Sequence, residues 1–285
     1  MLSSYASVFR EGLFRSQVAL VTGAGSGIGR CTAHELAALG ARVALVGRKE
    51  EKLKAVAAEI GEAARTYACD IREEEAVAKT VSNVLADLGR IDCLVNNAGG
   101  QFASPLEKIS AKGWETVVRT NLTGGFLVAR ECYTQWMKAA GAGAIVNMIA
   151  DMWHGMPNMG HSGAARAGML NFTETAALEW APVRVNAVAP GWIASSGLDH
   201  YPPEMKEHIR ALPKRVPLGR LGTESEVSAA IVFLLSPAAG FISGSCLRVD
   251  GAVPSAKRVV DKVGSGKATP AFDGFRLAAK PKVLE

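Results

Sequence analysis

A chain of 285 residues, 48% of them apolar, can bury a sizeable core and is too apolar to be disordered by composition; it fits one large domain or two small ones. A net charge of +5 suits anionic ligands such as phosphates, and with no basic stripe interleaved with aromatics it gives no reason to expect nucleic acid. The five cysteines (Cys31, Cys69, Cys93, Cys132, Cys246) are scattered, odd in number and free of any CxxC pair, which argues against a disulfide framework or a metal site and for reduced, cytoplasmic thiols.

The N-terminal stretch MLSSYASVFREGLF lacks the apolar core of a signal peptide, and no run of 18 apolar residues is present, so no membrane span is expected. QVALVTGA (17–24) is apolar and β-branched and ends in glycines, as a buried strand would; GRCTAHELAALG (29–40) has helical periodicity and a glycine stop. The alternation then repeats. Strands are expected at ARVALVGR (41–48), RTYACDI (65–71), IDCLVNNAG (91–99), GAIVNMIAD (143–151), VRVNAVAPG (183–191) and SCLRVDG (245–251), with helix-like stretches between them. Strands that are apolar throughout, spaced by helices, predict an α/β fold: a single doubly wound parallel sheet covered on both faces. The domain is expected to span 1–251. Residues 252–285 are polar and basic and read as a C-terminal extension that wraps a neighbour or is loosely ordered.

TGAGSGIGR (22–30) follows the first strand and opens the first helix. Glycines at Gly23, Gly27 and Gly29 allow a tight turn and close backbone approach, while the helix N-terminus presents free N–H groups to a pyrophosphate. Ser26 and Ile28 complete that loop. At the end of the second strand a binder of unphosphorylated dinucleotide would carry an acid for the ribose 2′-hydroxyl. This chain carries Arg48 and Lys49, which favour a 2′-phosphate and hence NADP.

Taken together, TGxxxGxG (22–29), CDI (69–71), NNAG (96–99), Asn121 in NLTG and PGWI (190–193) resemble the short-chain dehydrogenase/reductase family over roughly residues 13–251. The resemblance implies a single Rossmann domain, a nicotinamide cofactor and a homotetramer. It places Asp70 and Ile71 beside the adenine, Asn96, Asn97, Ala98 and Gly99 along the cofactor, and Pro190, Gly191, Ile193 and Ser195 at its carboxamide end. Tyr133 and Trp136 would lie on a helix that packs against a partner subunit.

Most members of that family carry Ser, Tyr and Lys with a supporting Asn. Aligning SGAARAG with the usual YSAAKAG puts Ser162 at the tyrosine and Arg166 at the lysine, and Ala150 falls at the serine; of the four, Asn121 alone is retained. A serine hydroxyl has no pKa suited to exchanging a proton with an alcohol oxygen, and an arginine stays protonated. Reduction of an enoyl thioester asks less: hydride goes to Cβ, and the charge on the thioester oxygen needs only hydrogen-bond donors, such as Ser162.

The segments NNAGGQF, ISAKGWETVVRTNLTG and HSGAARAG resemble the peroxisomal trans-2-enoyl-CoA reductase branch and, more distantly, the 2,4-dienoyl-CoA reductases, which places Gln101 and Phe102 along the substrate entrance. The chain is also similar to bacterial citronellol/citronellal dehydrogenases. DMWHGMPNMG (151–160) brings Asp151 and His154 near the reaction centre; His154, oriented by Asp151, is either a proton donor or an ordinary loop histidine. Residues 195–215 resemble the family's substrate lid, and Lys206, Arg210, Lys214 and Arg215 there are either contacts for CoA phosphates or a solvated face. The leading expectation is an NADP-dependent reductase of a small-molecule enoyl-CoA. Dehydrogenation of a terpenoid alcohol is the alternative, and a catalytically degenerate NADP-binding sensor or structural subunit the reading from another class.

Overall fold

The computed structural model describes residues 5–201, 203–253, 268–279 and 281–284. Its strands are β1 (Val18–Thr22), β2 (Arg42–Gly47), β3 (Ala64–Ala68), β4 (Cys93–Asn96), β5 (Ala144–Met148), β6 (Arg184–Pro190), β7 (Ile193–Ala194), β8 (Gly222–Thr223) and β9 (Cys246–Val249). Seven of them form one sheet in the order β3-β2-β1-β4-β5-β6-β9, every pair parallel, while β7 and β8 make a small separate pair. The helices are α1 (Gly27–Ala38), α2 (Glu50–Ile60), α3 (Glu74–Leu88), α4 (Ala111–Val118), α5 (Gly124–Cys132), α6 (Lys138–Ala140), α7 (Gly160–Glu179), α8 (Lys206–Ala211) and α9 (Glu224–Leu235).

All seven expected strands are present. Alternate residues of each central strand face opposite layers, which is why both sets must be apolar. From β1, Ala19 and Val21 join Leu36, Val227 and Ile231 under α1 and α9, whereas Val18 and Leu20 join Val81, Val84, Leu127 and Cys132 under α3 and α5. The expectation of uninterrupted apolar strands fails at the two edges: Arg65 and Ala68 of β3 and Leu247 and Arg248 of β9 are exposed, because an edge strand is not covered on both faces along its length. Strand order reverses between β1 and β4, so their C-terminal loops diverge and open a crevice at the point where such sheets bind ligands.

The described part of the C-terminal segment lies against the chain's own body. Phe275 is 2% exposed, stacked on Tyr5 at 5.9 Å and tilted against His34 at 4.9 Å. Its backbone N–H donates to Ser225 Oγ at 3.1 Å, and Thr223 Oγ1 donates to the Phe272 carbonyl at 2.6 Å. Further along, Val283 is buried among Leu198, Ile209 and Leu212, and the Asp199 carboxylate accepts from the backbone of both Lys282 and Val283.

Candidate active site

The crevice is built from two loops held together by one threonine. Thr22 Oγ1 accepts from the backbone N–H of Asn97 at 3.0 Å and of Ala98 at 2.9 Å, and Asn97 Nδ2 donates back to the Thr22 carbonyl at 3.0 Å. Asn97 therefore fixes the turn. Gly23 has φ +67°, and a Cβ there would stand 2.8 Å from Asn97 Nδ2; one on Gly29 would run into the Gly23 carbonyl oxygen. Gly27, also left-handed at φ +57°, is open on that side, its nearest neighbour being Glu224 Oε1 at 3.8 Å. Two glycines are thus needed for packing and one leaves space for a ligand. The side chain of Ser26, at the N-terminus of α1, makes no cap, so the first-turn N–H groups are available to an anion.

Gly25, Ser26, Gly27, Arg30, Lys52 and Glu224 line the crevice. Arg48 and Lys49 stand exposed at the end of β2. Asp70 is held ionised by the bidentate Arg72 guanidinium, and Ile71 is buried against Gly124, where a Cβ would come within 2.8 Å. At the far end, Gly191 donates to the Val249 carbonyl at 2.9 Å and has no room for a Cβ, which would lie 2.8 Å from the Asp250 Cα. Pro190 closes β6, Ile193 is buried in β7, and Ser195 precedes the turn at 196–200. The residues present fit an extended dinucleotide: a pyrophosphate cradle, cations beyond β2 and a close-packed floor.

Asn121, Ser162 and Arg166 come together at the end of β4. Asn121 lies in a π-helical segment, Arg119–Thr123, that re-aims it inward between α4 and α5. Its amide pairs with both backbone groups of Gly100, accepting at 2.8 Å and donating at 3.0 Å. Ser162 and Arg166 are one helical turn apart on α7, both facing inward. Arg166 donates from Nη1 to the Met148 carbonyl at 2.5 Å, while its Nε is buried without a partner. Burial lowers its pKa to about 10, which leaves it cationic. A Cβ on Gly99 would sit 2.5 Å from Arg166 Nη2 and 3.0 Å from Asn121 Oδ1, so the glycine is what lets the cation lie against the loop. Ser162 is fully buried, and its Oγ donates to Gln101 Oε1 at 2.7 Å. Next to it His161 is sealed under Phe102, accepting from the Ser162 backbone at 2.8 Å.

Asp151 and His154 follow the end of β5, where the Asp151 N–H donates to the Pro190 carbonyl at 3.2 Å. Neither hydrogen-bonds to Ser162, Arg166 or Asn121 among the described residues. Asp151 is half-buried; burial and then Asp250 raise its pKa, and the charges of Arg248 and His154 oppose that rise. His154 is exposed, at φ +71°. Of the lid cations, Arg210 donates to the Val283 carbonyl at 2.9 Å, and Lys206, Lys214 and Arg215 are exposed. Tyr133 is stacked on Trp180 at 4.5 Å within the chain. The sequence reading passed over two groups that face the crevice. Glu224, masked as an ordinary first-turn acid, is buried, with its pKa raised to about 7. Tyr201, one hundred residues from its partner, accepts from Gln101 Nε2 at 3.3 Å. Among the described residues no cluster of His, Cys, Asp or Glu could hold a metal ion, and no helix is long and apolar enough to cross a membrane.

This arrangement, a parallel sheet with a glycine cradle at its switch point, Asn121 between α4 and α5, and Ser162 and Arg166 on α7, is that of a dinucleotide-binding fold. A family model described as enoyl-(acyl carrier protein) reductase matches residues 23–253, and the chain belongs to the short-chain dehydrogenase/reductase family. It is 36% identical over 239 residues to a probable 2,4-dienoyl-CoA reductase of Bacillus subtilis, covering 81% of this chain and 94% of that one. Among solved structures it is similar to a citronellol catabolism dehydrogenase of Pseudomonas aeruginosa PAO1, with 62% identity, TM-score 0.79 and coverage of 88% and 100%. It is also similar to an actinorhodin polyketide ketoreductase with NADPH, at 32% identity and TM-score 0.79, covering 84% and 98%.

Proposed function

We propose that the protein reduces the C=C bond of a trans-2-enoyl-CoA or a similarly activated alkene with NADPH. The observation that carries this reading is the Ser162–Arg166 pair: a hydroxyl donor and a buried cation stand where the fold otherwise supplies a proton-exchanging phenol and its lysine. Such a pair stabilises charge growing on an acyl oxygen but does not by itself deprotonate an alcohol.

When bound, NADPH supplies the hydride. The first-turn N–H groups of α1, with Gly23, Ser26, Gly27, Ile28 and Gly29, would hold its pyrophosphate, and Arg48 and Lys49 its 2′-phosphate. Asp70 and Ile71 would flank the adenine, Asn97, Ala98 and Gly99 would line the middle, and Pro190, Gly191, Ile193 and Ser195 would hold the carboxamide. Arg166, fixed by the Met148 carbonyl, would supply positive charge and donors to the nicotinamide ribose. Ser162 turns its proton from Gln101 to the substrate oxygen, and Asn121 keeps the Gly99–Gly100 backbone in place. Asp151 and His154 stay outside the reacting group in this reading.

Oxidation of an acyclic terpenoid alcohol is the second reading, favoured by the 62% identity to the citronellol catabolism dehydrogenase. Nicotinamide absorbance separates the two. NADPH is consumed with a medium-chain trans-2-enoyl-CoA if the first holds; NADPH forms from NADP⁺ and citronellol, with no enoyl-CoA reduction, if the second does. Tight cofactor binding with silence from both supports a non-catalytic NADP-binding protein.

A further inference from the structure

The family's tyrosine is missing from α7, yet a phenol from another part of the chain is linked to Ser162 through one side chain. The sequence holds four tyrosines. Tyr5 donates to Glu35 at 3.0 Å, Tyr67 donates to Asp87 at 3.0 Å, and Tyr133 is stacked on Trp180, all away from the crevice. The fourth, Tyr201, stands at the start of the segment leading to α8 and meets the side chain of Gln101.

Gln101 bridges the two hydroxyls. Its Oε1 accepts from Ser162 Oγ at 2.7 Å and its Nε2 donates to Tyr201 OH at 3.3 Å. Because the phenol oxygen accepts from the amide, its own O–H is left to donate elsewhere. Across one amide the two hydroxyl oxygens stand no more than about 8 Å apart. That span admits a thioester carbonyl with its Cα, the oxygen hydrogen-bonded to one hydroxyl and the carbon facing the other. Gln101 is exposed and Tyr201 half-buried, whereas Ser162 lies buried beneath the Gln101 amide. The other candidate acids are placed less well. His161 is fully buried with Nδ1 occupied by the Ser162 N–H, and Asp151 answers to Asp250 and Arg248.

We propose that Tyr201 is a catalytic residue of this site, the proton donor that completes it, with Gln101 positioning its phenol opposite Ser162. The proposal rests on the enoyl-CoA reading. In that reaction the hydride's electron pair forms the new C–H bond at Cβ, the alkene π pair moves toward the thioester oxygen held by Ser162, and the enolate then takes the phenol proton at Cα. The resulting tyrosinate recovers a proton from water. NADPH is oxidised and the alkene reduced by two electrons.

The test is single-turnover NADPH oxidation and, by rapid quench, formation of saturated acyl-CoA by the full-length protein and its Tyr201→Phe variant, with NADPH affinity measured alongside by fluorescence. The expected result is saturated acyl-CoA formed about 100-fold or more slowly, with NADPH affinity unchanged and the solvent deuterium isotope effect retained, since the proton then comes from water. Gln101→Leu, which removes the bridge and leaves the phenol, lowers the rate less and preserves that isotope effect. An active wild type with Tyr201→Phe within twofold of it overturns this proposal and leaves the enoyl-CoA reading standing. If the wild type oxidises citronellol and does not reduce enoyl-CoA, the enoyl-CoA reading falls. The same variant is then read on alcohol oxidation, where a 100-fold loss supports a catalytic phenol and an unchanged rate overturns it. A wild type silent on both substrates overturns both.

Discussion

Glu224 offers a sharp test of how burial shapes the crevice. It is the first residue of α9, where a helix N-terminus favours an ionised carboxylate, yet it is only 7% exposed and its pKa rises from 4.5 to about 7. Burial is the largest cause; Arg30 opposes it and Asp273 adds to it. A carboxyl whose folded pKa exceeds its unfolded one is harmless while protonated in both states. It destabilises the fold progressively as pH rises from the unfolded value through the folded one. Between pH 5 and pH 8 this linkage is on the order of 2 kcal/mol. Glu224→Gln removes it. Urea unfolding of cofactor-free protein at one fixed concentration should show the variant gaining on the order of 2 kcal/mol on the wild type between those pH values. NADPH affinity of the wild type should also fall relative to the variant at pH 8, since the ionised carboxylate stands opposite the open face of Gly27, 3.8 Å from where a Cβ would be. A wild type and variant that keep the same stability difference at both pH values would refute the reasoning.

The remaining predictions concern packing, charge and the oxyanion. Gly29→Ala forces a methyl against the Gly23 carbonyl and should weaken NADPH binding at least tenfold by isothermal titration, while Gly61→Ala, open on its Cβ side but at φ +88°, should cost stability without touching affinity. Phe275→Ala empties the site between Tyr5 and His34 and should cost about 3 kcal/mol by chemical denaturation. A loss under 0.5 kcal/mol would mean the C-terminal segment does not bear on the fold. Arg48→Asp should shift the preference from NADPH toward NADH in steady-state kinetics by at least tenfold; unchanged preference would put the 2′-phosphate elsewhere. Ser162→Ala should lower kcat about 100-fold with cofactor affinity unchanged, the scale of one lost oxyanion donor.

What could be read from the sequence follows from range. β1, β2, β4, β5 and β6 are short and apolar on both faces, so they declare themselves locally, and the glycine cradle is a contiguous motif whose every position has a backbone reason. The alignment at SGAARAG also rests on a continuous helix, and the structure places Ser162 and Arg166 on its inner face. The contacts that sequence does not announce are those made at distance. Phe275 and Val283 stand in a polar, basic run, and only the tertiary fold gives each a pocket. Tyr201 lies in a segment read for its cations, while its hydroxyl is matched to a glutamine one hundred residues earlier. The π-helical turn at Asn121 is equally silent, because its residues have ordinary helical propensities.

Isotope placement tests the account's central claim most directly. The protein is incubated with NADPH deuterated at the transferred position and a medium-chain trans-2-enoyl-CoA, and the acyl product is analysed by mass spectrometry and NMR. The account predicts a saturated acyl-CoA with deuterium at Cβ and a solvent-derived hydrogen at Cα. Deuterium on a carbonyl carbon, or an unreduced alkene beside a protein that exchanges hydride with citronellal, would contradict it.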